Sequence, residues 1–495
     1  MDTSKSTPTA KLTEYIDEIP HISGSEKEIE DLINSSKGSE IFRPESRFDF
    51  SKIQSCCAVA LHMHQPMIPA GSSDLHTAKI ISNLEYMMQN PNDGDNHNAS
   101  VFHWCYKRIG DFIPELVQQG KEPRVMLDYS GTLLHGMHQM KLDDVFENLK
   151  KITCDPEYRR CVEWLGCPWG HPVAPSTPVQ DYRLHVKAWQ HHFSSLFGMQ
   201  ALARVRGFSP SEMALPNHPD IAYEFVKILK ECGFQWVLVQ EHTIENPENG
   251  HGPQQKHIPH RLVCRNSAGE TASIVVLIKT QGSDTKLVAQ MQPYFEAKGL
   301  QRFALAGKEI PQIVSQIADG ENGGVMMNEF PSKYLEIAGE STGTDTPLIN
   351  GTEYLEHLFA SGIKEEDLPV VQPIMQNRIW ERFTPGDGPE KLAAAIEDLK
   401  QEDHQFHMDG GSWTNSISWV EGYENVLAPM EKASSVFNEK ILKAEVSSGG
   451  PRFRTALYYL MLSQTSCYRY WGEGLWADYG REICRRAEEV LGKDY

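Results

Sequence analysis

Two imidazoles and an amide stand where an apolar run stops. In Leu61-His62-Met63-His64-Gln65-Pro66 they follow Cys57-Ala58-Val59-Ala60-Leu61. Such a run has the length and composition of a buried strand, and strand side chains alternate faces. His62 and His64 should therefore point the same way, with Gln65 and Pro66 turning the chain out of the sheet. Parallel α/β folds build their sites at the C-terminal ends of strands. Five further segments could join this one. Gly166-Cys-Pro-Trp-Gly-His-Pro-Val-Ala-Pro175 is a proline- and glycine-rich loop able to hold Trp169 and His171 at a pocket rim. Arg206-Gly-Phe-Ser-Pro-Ser-Glu-Met-Ala-Leu215 places one carboxylate, Glu212, between a short strand and a helix starting near Asp220. Gly323-Gly-Val-Met-Met-Asn-Glu-Phe330 is an apolar run ending in Asn328 and Glu329, which reads as another strand end. Asp409-Gly-Gly-Ser-Trp-Thr414 and Leu462-Ser-Gln-Thr-Ser-Cys-Tyr-Arg-Tyr-Trp471 set Asp409, Trp413, Gln464 and Trp471 in polar, glycine-flanked surroundings. Each has a bland counterpart: turn glutamates are usually solvated and large aromatics are usually core.

The elements that must position these residues alternate. Runs at 58–61, 125–129, 236–239, 273–278 and 325–327 read as strands; 101–118, 182–197, 220–232 and 311–318 read as helices. Strand and helix in turn over about 300 residues imply a parallel sheet, most economically a barrel. Beyond residue 376 helical patterns dominate, as at 391–403 and 454–468. The expected organisation is a polar N-terminal extension over 1–53, mobile or loosely docked, a barrel over 54–375, and a helical region over 376–495. The 67 acidic and 47 basic residues give a net charge of -20, which argues against nucleic acid or an anionic membrane and for a neutral or small substrate. No apolar run is long enough to span a bilayer and no signal peptide opens the chain, so the expected compartment is the cytoplasm. The ten cysteines suggest no disulfide framework. Cys161 and Cys167 near His171 lack the tight spacing of a structural zinc site.

Taken together, the segments resemble one family. His62-Met-His-Gln-Pro66 is similar to the first signature of glycoside hydrolase family 57, Gly170-His171-Pro172 to the second, and residues 207–214 to the third. Gln464-Thr-Ser-Cys-Tyr-Arg-Tyr-Trp471 is similar to its closing helical motif. The resemblance implies an incomplete (β/α)7 barrel followed by a helical domain, acting on α-glucans in carbohydrate metabolism with retention of configuration. It implies no catalytic metal or other cofactor. Within it Glu212 is the nucleophile, His62, His64 and His171 grip sugar hydroxyls, and Gln65, Trp169, Asn328, Trp413, Gln464 and Trp471 complete the substrate cleft. Retaining cleavage needs a second carboxyl about 5 to 5.5 Å from the first. Members carry an Asp as acid/base, two residues before a Glu at a strand end. With Glu329 taken as that Glu, the Asp position is Met327, and a thioether donates no proton. Glu329 or Asp409 is then expected to take over as acid/base, or the chain has lost ordinary hydrolysis.

Three readings follow: an active retaining α-glucan enzyme, hydrolytic or transferring; a glucan-binding or regulatory protein on the same scaffold; and a zinc-dependent carbohydrate enzyme using His62 and His64. The first predicts loss of turnover in Glu212→Gln, the second binding without product. The third predicts stoichiometric zinc, although Gln65 is a poor ligand and no carboxylate lies in that signature. The segments 241–260 and 337–350 are candidate lids over an acceptor side that excludes water.

Overall fold

The computed structural model describes residues 12–70, 74–280, 285–321, 328–412, 424–470 and 474–492. Seven strands form its centre: β1 Ser55–Met63, β2 Val125–Tyr129, β3 Val162–Gly166, β4 Gly207–Phe208, β5 Trp236–Gln240, β6 Thr271–Lys279 and β7 Gln312–Asp319. They run in the order β6-β7-β1-β2-β3-β4-β5, and β5 pairs again with β6. Every pairing around this ring is parallel, so it is a closed seven-stranded parallel barrel. The closure between β6 and β7 is thin, carried by the pair Lys279↔Ser315. Lower down, β6 instead pairs with the antiparallel strand His260–Arg265.

Helices wrap the outside. They include α1 Ala99–Gln118, α2 Gly131–Gln139, α3 Val179–Phe197, α4 Pro219–Glu231 and α5 Phe330–Glu340. In α4, Pro219 opens the first turn, and Ala222, Phe225, Val226 and Leu229 recur at helical spacing to bury one face. The C-terminal region is helical, with α6 Pro389–Glu402, α7 Pro451–Ser463 and α8 Leu475–Gly492 among its members.

Side-chain alternation splits the barrel core in two. On β1, Cys57, Val59, Leu61 and Met63 pack outward with helix residues such as Ile109 and Ile113. Cys56, Ala58 and Ala60 join Met126, Leu165, Trp236, Leu238, Val275, Leu277, Ile313 and Ile317 in the separate cluster that fills the barrel. Extending each inward series by two residues reaches His62 on β1, Asp128 on β2, Gln240 on β5, Lys279 on β6 and Asp319 on β7. The apolar filling thus ends in a polar layer at the C-terminal mouth. Register sets its members side by side: Asp319 is opposite His62 on one flank, Asp128 is opposite His62 on the other, and Lys279 is opposite Gln240.

Two expectations need correction. Residues 311–318 form strand β7 rather than a helix. Ile313, Val314 and Ile317 mimic helical spacing, but the run is buried on both faces, as parallel barrel strands are. The extension is docked from residue 12 onward. Ile22 and Ile29 enter the main core, and the Glu356 carboxylate accepts from the backbone N–H groups of Ile41, Phe42 and Arg43. Residues 325–327, read as a strand, lie outside the described residues.

Candidate active site

The chain leaves β4 through Ser209-Pro210-Ser211 into a single 3-10 turn at Ser211–Met213. Glu212 sits there at φ 61° and ψ 17°, in the left-handed region that non-glycine residues avoid. His171, in the loop after β3, has φ 57°. Left-handed conformations at two chemically equipped residues cost roughly 1–2 kcal/mol each, and such strain gathers where a side chain must be aimed. Here both aim at the same spot. His171 Nδ1 lies 3.6 Å from Glu212 Oε1, and Ser466 Oγ lies 2.8 Å from that nitrogen and 2.9 Å from the same carboxylate oxygen.

The other imidazoles close around this pair. His171 Nε2 is 2.9 Å from His62 Nε2, and His62 Nδ1 donates to the buried Asp128 Oδ2 at 2.9 Å. The His64 ring stacks on His171, with centroids 3.9 Å apart and planes 10° apart. Ser130 Oγ lies 2.8 Å from His64 Nδ1 and Cys467 Sγ lies 3.3 Å from its Nε2. Ser466 and Cys467 arrive on the segment following α7. That segment is pinned to the loop after β3 by the bridge Pro172↔Thr465 and by Ser466 N–H donating to His171 O at 2.9 Å.

Charge is divided unevenly among these groups. Burial alone would lower His62, but the Asp128 carboxylate, aided by Asp319 and Glu321, lifts it to about 10. Burial, reinforced by the neighbouring imidazoles, holds His64 and His171 well below the ordinary histidine value. His62 is therefore the cation and its two neighbours are neutral. Glu321 Oε1 accepts from His64 N–H at 2.7 Å and from the Tyr106 hydroxyl at 2.9 Å. Burial raises the Glu321 carboxyl to about 8 against the opposing pull of His62. Burial also lowers Lys279 to about 8, with Asp319 opposing.

The structure thus brings together His62, His64, His171 and Glu212 and places several other candidates elsewhere. Trp169 is fully buried, donates from Nε1 to His192 Nδ1 at 3.1 Å, and lies where a Cβ on Gly131 would come within 2.0 Å of its ring. It is a core residue beneath the loop, not a rim residue. Gln65 is buried and accepts from Asn83 Nδ2 at 2.8 Å. Gln464 is buried too, 2.9 Å from His185 Nε2 and donating to Asp181 Oδ2 at 2.7 Å. Both amides brace the scaffold. Glu329 is exposed at the N-cap of α5 and accepts from Gln290 Nε2 at 3.3 Å, and Asn328 beside it is exposed. Asp409 is half-exposed, 3.8 Å from His407 Nδ1. Met327, Trp413 and Trp471 lie outside the described residues. Cys161 precedes β3 and Cys167 follows it, so they stand at opposite ends of a strand and share no ion. Among the described residues, no group of three or more His, Cys, Asp or Glu side chains is arranged to hold a metal.

Sequence reasoning missed Asp128, Asp319, Glu321 and Ser466. The signals were present. Asp128 interrupts an apolar strand, where an unpaired charge is costly. Ala318-Asp319-Gly320-Glu321 carries an Asp two residues before a Glu at the end of β7, but the helical reading of that run hid the strand end.

Glycosyl hydrolase family 57 matches over residues 58–289. The fold is similar to the 4-alpha-glucanotransferase from Thermococcus litoralis, with 16% identity and a TM-score of 0.54, covering 89% of this chain and 59% of that one. It is similar also to the GH57-type branching enzyme from the hyperthermophilic archaeon Pyrococcus horikoshii, with 11% identity and a TM-score of 0.50, covering 88% and 87%. No curated protein matches the chain in sequence. At these identities the likeness is one of fold, and the chain spans 59% of the length of the glucanotransferase. Over residues 58–289, on a closed seven-stranded barrel with a helical C-terminal region, the chain is similar to glycosyl hydrolase family 57.

Proposed function

We propose that the chain is a retaining α-glucan enzyme, a glycosidase or glucanotransferase, with Glu212 as nucleophile and Asp319 as acid/base. The observation that carries this reading is the row Asp319, His62, Asp128 across three adjacent strands, with Glu212 joined to His62 through His171. One carboxyl therefore borders each side of the His62–His171 pair. Asp319 replaces Glu329 and Asp409 as the second carboxyl, and with Glu321 it supplies an Asp-x-Glu pattern at the end of β7.

The steps follow from placement. Asp319, exposed at the barrel mouth, donates a proton to the glycosidic oxygen while a Glu212 oxygen attacks the anomeric carbon. The bond to the leaving oxygen breaks, and its electron pair stays with that oxygen. Asp319, now ionised, takes a proton from water or from a glucan hydroxyl, whose oxygen displaces Glu212 and restores the carboxylate. A glucan-binding protein without turnover would be favoured by a missing second carboxyl, and Asp319 removes that motive.

Azide separates the two carboxyl roles. With an activated α-glucoside, Asp319→Ala should be rescued by azide to give the α-glucosyl azide, and Glu212→Gly to give the β-azide. Rescue of neither variant, or the same anomer from both, would overturn the assignment.

A further inference from the structure

We propose that a one-way hydrogen-bond chain runs from Asp128 through His62, His171 and Ser466 to Glu212, with Asp128 and Ser466 as positioning residues that present a fixed donor to the attacking carboxylate. The proposal rests on Glu212 being that carboxylate.

The directions follow from the two carboxylate ends together with the positive charge on His62. Ionised Asp128 only accepts, so the 2.9 Å contact from its Oδ2 requires hydrogen on His62 Nδ1. Two imidazole nitrogens 2.9 Å apart share one hydrogen, and the cation of the pair supplies it. His62 Nε2 therefore donates and His171 Nε2 accepts. Neutral His171 is left with its hydrogen on Nδ1, facing Ser466 Oγ at 2.8 Å. Having accepted there, the Ser466 hydroxyl turns its own hydrogen to Glu212 Oε1 at 2.9 Å. Without a charged Asp128 nothing sets this order, because each imidazole could carry its hydrogen on either nitrogen.

Three features keep the order in place. His64 stacks over His171 and fixes the plane of its ring. The carboxylates facing His62 are Asp128, Asp319 and Glu321, and the other rings beside it, His64 and His171, are held neutral by burial. Ser466 also donates its backbone N–H to His171 O, so hydroxyl and backbone grip the same residue from both sides. The chain crosses β2, β1, the loop after β3 and the segment after α7, so it is complete only when the C-terminal region is docked. Its donor lies where charge returns to Glu212 as the glycosyl bond breaks, the point at which a preorganised hydrogen bond lowers a barrier.

The experiment uses the full chain labelled with 15N-histidine, and kinetics on maltoheptaose. Near pH 7.5, His62 should be doubly protonated and His171 neutral with hydrogen on Nδ1. Asp128→Asn should return His62 to a neutral ring and release the fixed tautomer of His171. Hydrogen on Nε2 of His171, or a neutral His62, in the unaltered protein would overturn the proposal. Ser466→Ala should lower kcat by about 10- to 100-fold, the loss expected for one hydrogen bond to a charged group, with KM changed less than about twofold. Ser466→Thr should restore most of it. Equal losses in the Ala and Thr variants, or a loss confined to KM, would count against the proposal. The spectra need no turnover, so absence of turnover in the unaltered protein would sink the functional reading while the histidine signals still decide the chain.

Discussion

At the scale of single residues, the site is a set of titrating groups whose surroundings push them apart. Glu321 has its folded value raised to about 8 from an ordinary 4.5, so the folded state binds its proton more tightly than the unfolded chain does. The stabilisation is complete below the unfolded value and is lost as pH climbs toward 8. His62, raised to about 10 from 6.5, acts with the same sign over the higher window. His64 and His171, held low, act oppositely and withdraw stability as pH falls below about 6.5. Thermal melting across pH 4 to 10 should therefore show a maximum near pH 6, in the broad range where most proteins are most stable. Glu321→Gln keeps the neutral shape and should flatten the decline between pH 6 and 9; an unchanged decline would assign it to other groups. For the proposed acid, Asp319→Asn should lower turnover of maltooligosaccharides about 100- to 10,000-fold. The loss should be much smaller for aryl glucosides whose leaving group needs no proton, and an equal loss on both substrates would argue against the role.

At the scale of elements, the strand ends decide which side chains reach the mouth. β7 carries a sequence that scans as a helix, and only its pairing with β1 through eight consecutive register partners, from Gln312↔Ser55 to Asp319↔His62, brings Asp319 to the rim. The loop after β3 shows the converse. Its composition suits a binding loop, yet Trp169 turns inward, with its indole against His192 and Gly131. Trp169→Ala should therefore cost about 3 to 5 kcal/mol of folding stability, the usual range for emptying a buried aromatic site. A rim tryptophan would instead raise KM and leave the denaturant midpoint unchanged. Glu212 was placed correctly after a short strand because Gly207-Phe208 and the following proline punctuate the chain clearly, whereas its left-handed backbone leaves no trace in composition.

At the scale of the whole molecule, two segments outside the barrel complete it. The C-terminal region delivers Ser466 and Cys467, and Gln464 anchors that delivery by bridging His185 and Asp181 on α3. Gln464→Ala leaves the buried Asp181 short of its partner, which should cost about 1 to 3 kcal/mol. Activity should fall with it as the segment loosens, measurable by hydrogen exchange at 464–467; unchanged exchange there would show that other contacts hold the segment. The N-terminal segment from residue 12 packs on through Ile22, Ile29 and the three backbone donors to Glu356. Among the described residues, no helix is long and apolar enough to cross a membrane.

The sequence by itself determined the alternation of strand and helix, the polar cluster after β1, the loop carrying His171 and the turn carrying Glu212. Each is written in local periodicity and punctuation that a single segment contains. Only the tertiary structure decided that 312–319 is a strand, that Trp169 and Gln464 are scaffold, and that Asp128, Ser466 and Asp319 meet the histidines. Those outcomes depend on register and docking between segments as much as 295 residues apart, and the energy of a paired strand or a buried hydrogen bond belongs to both partners at once.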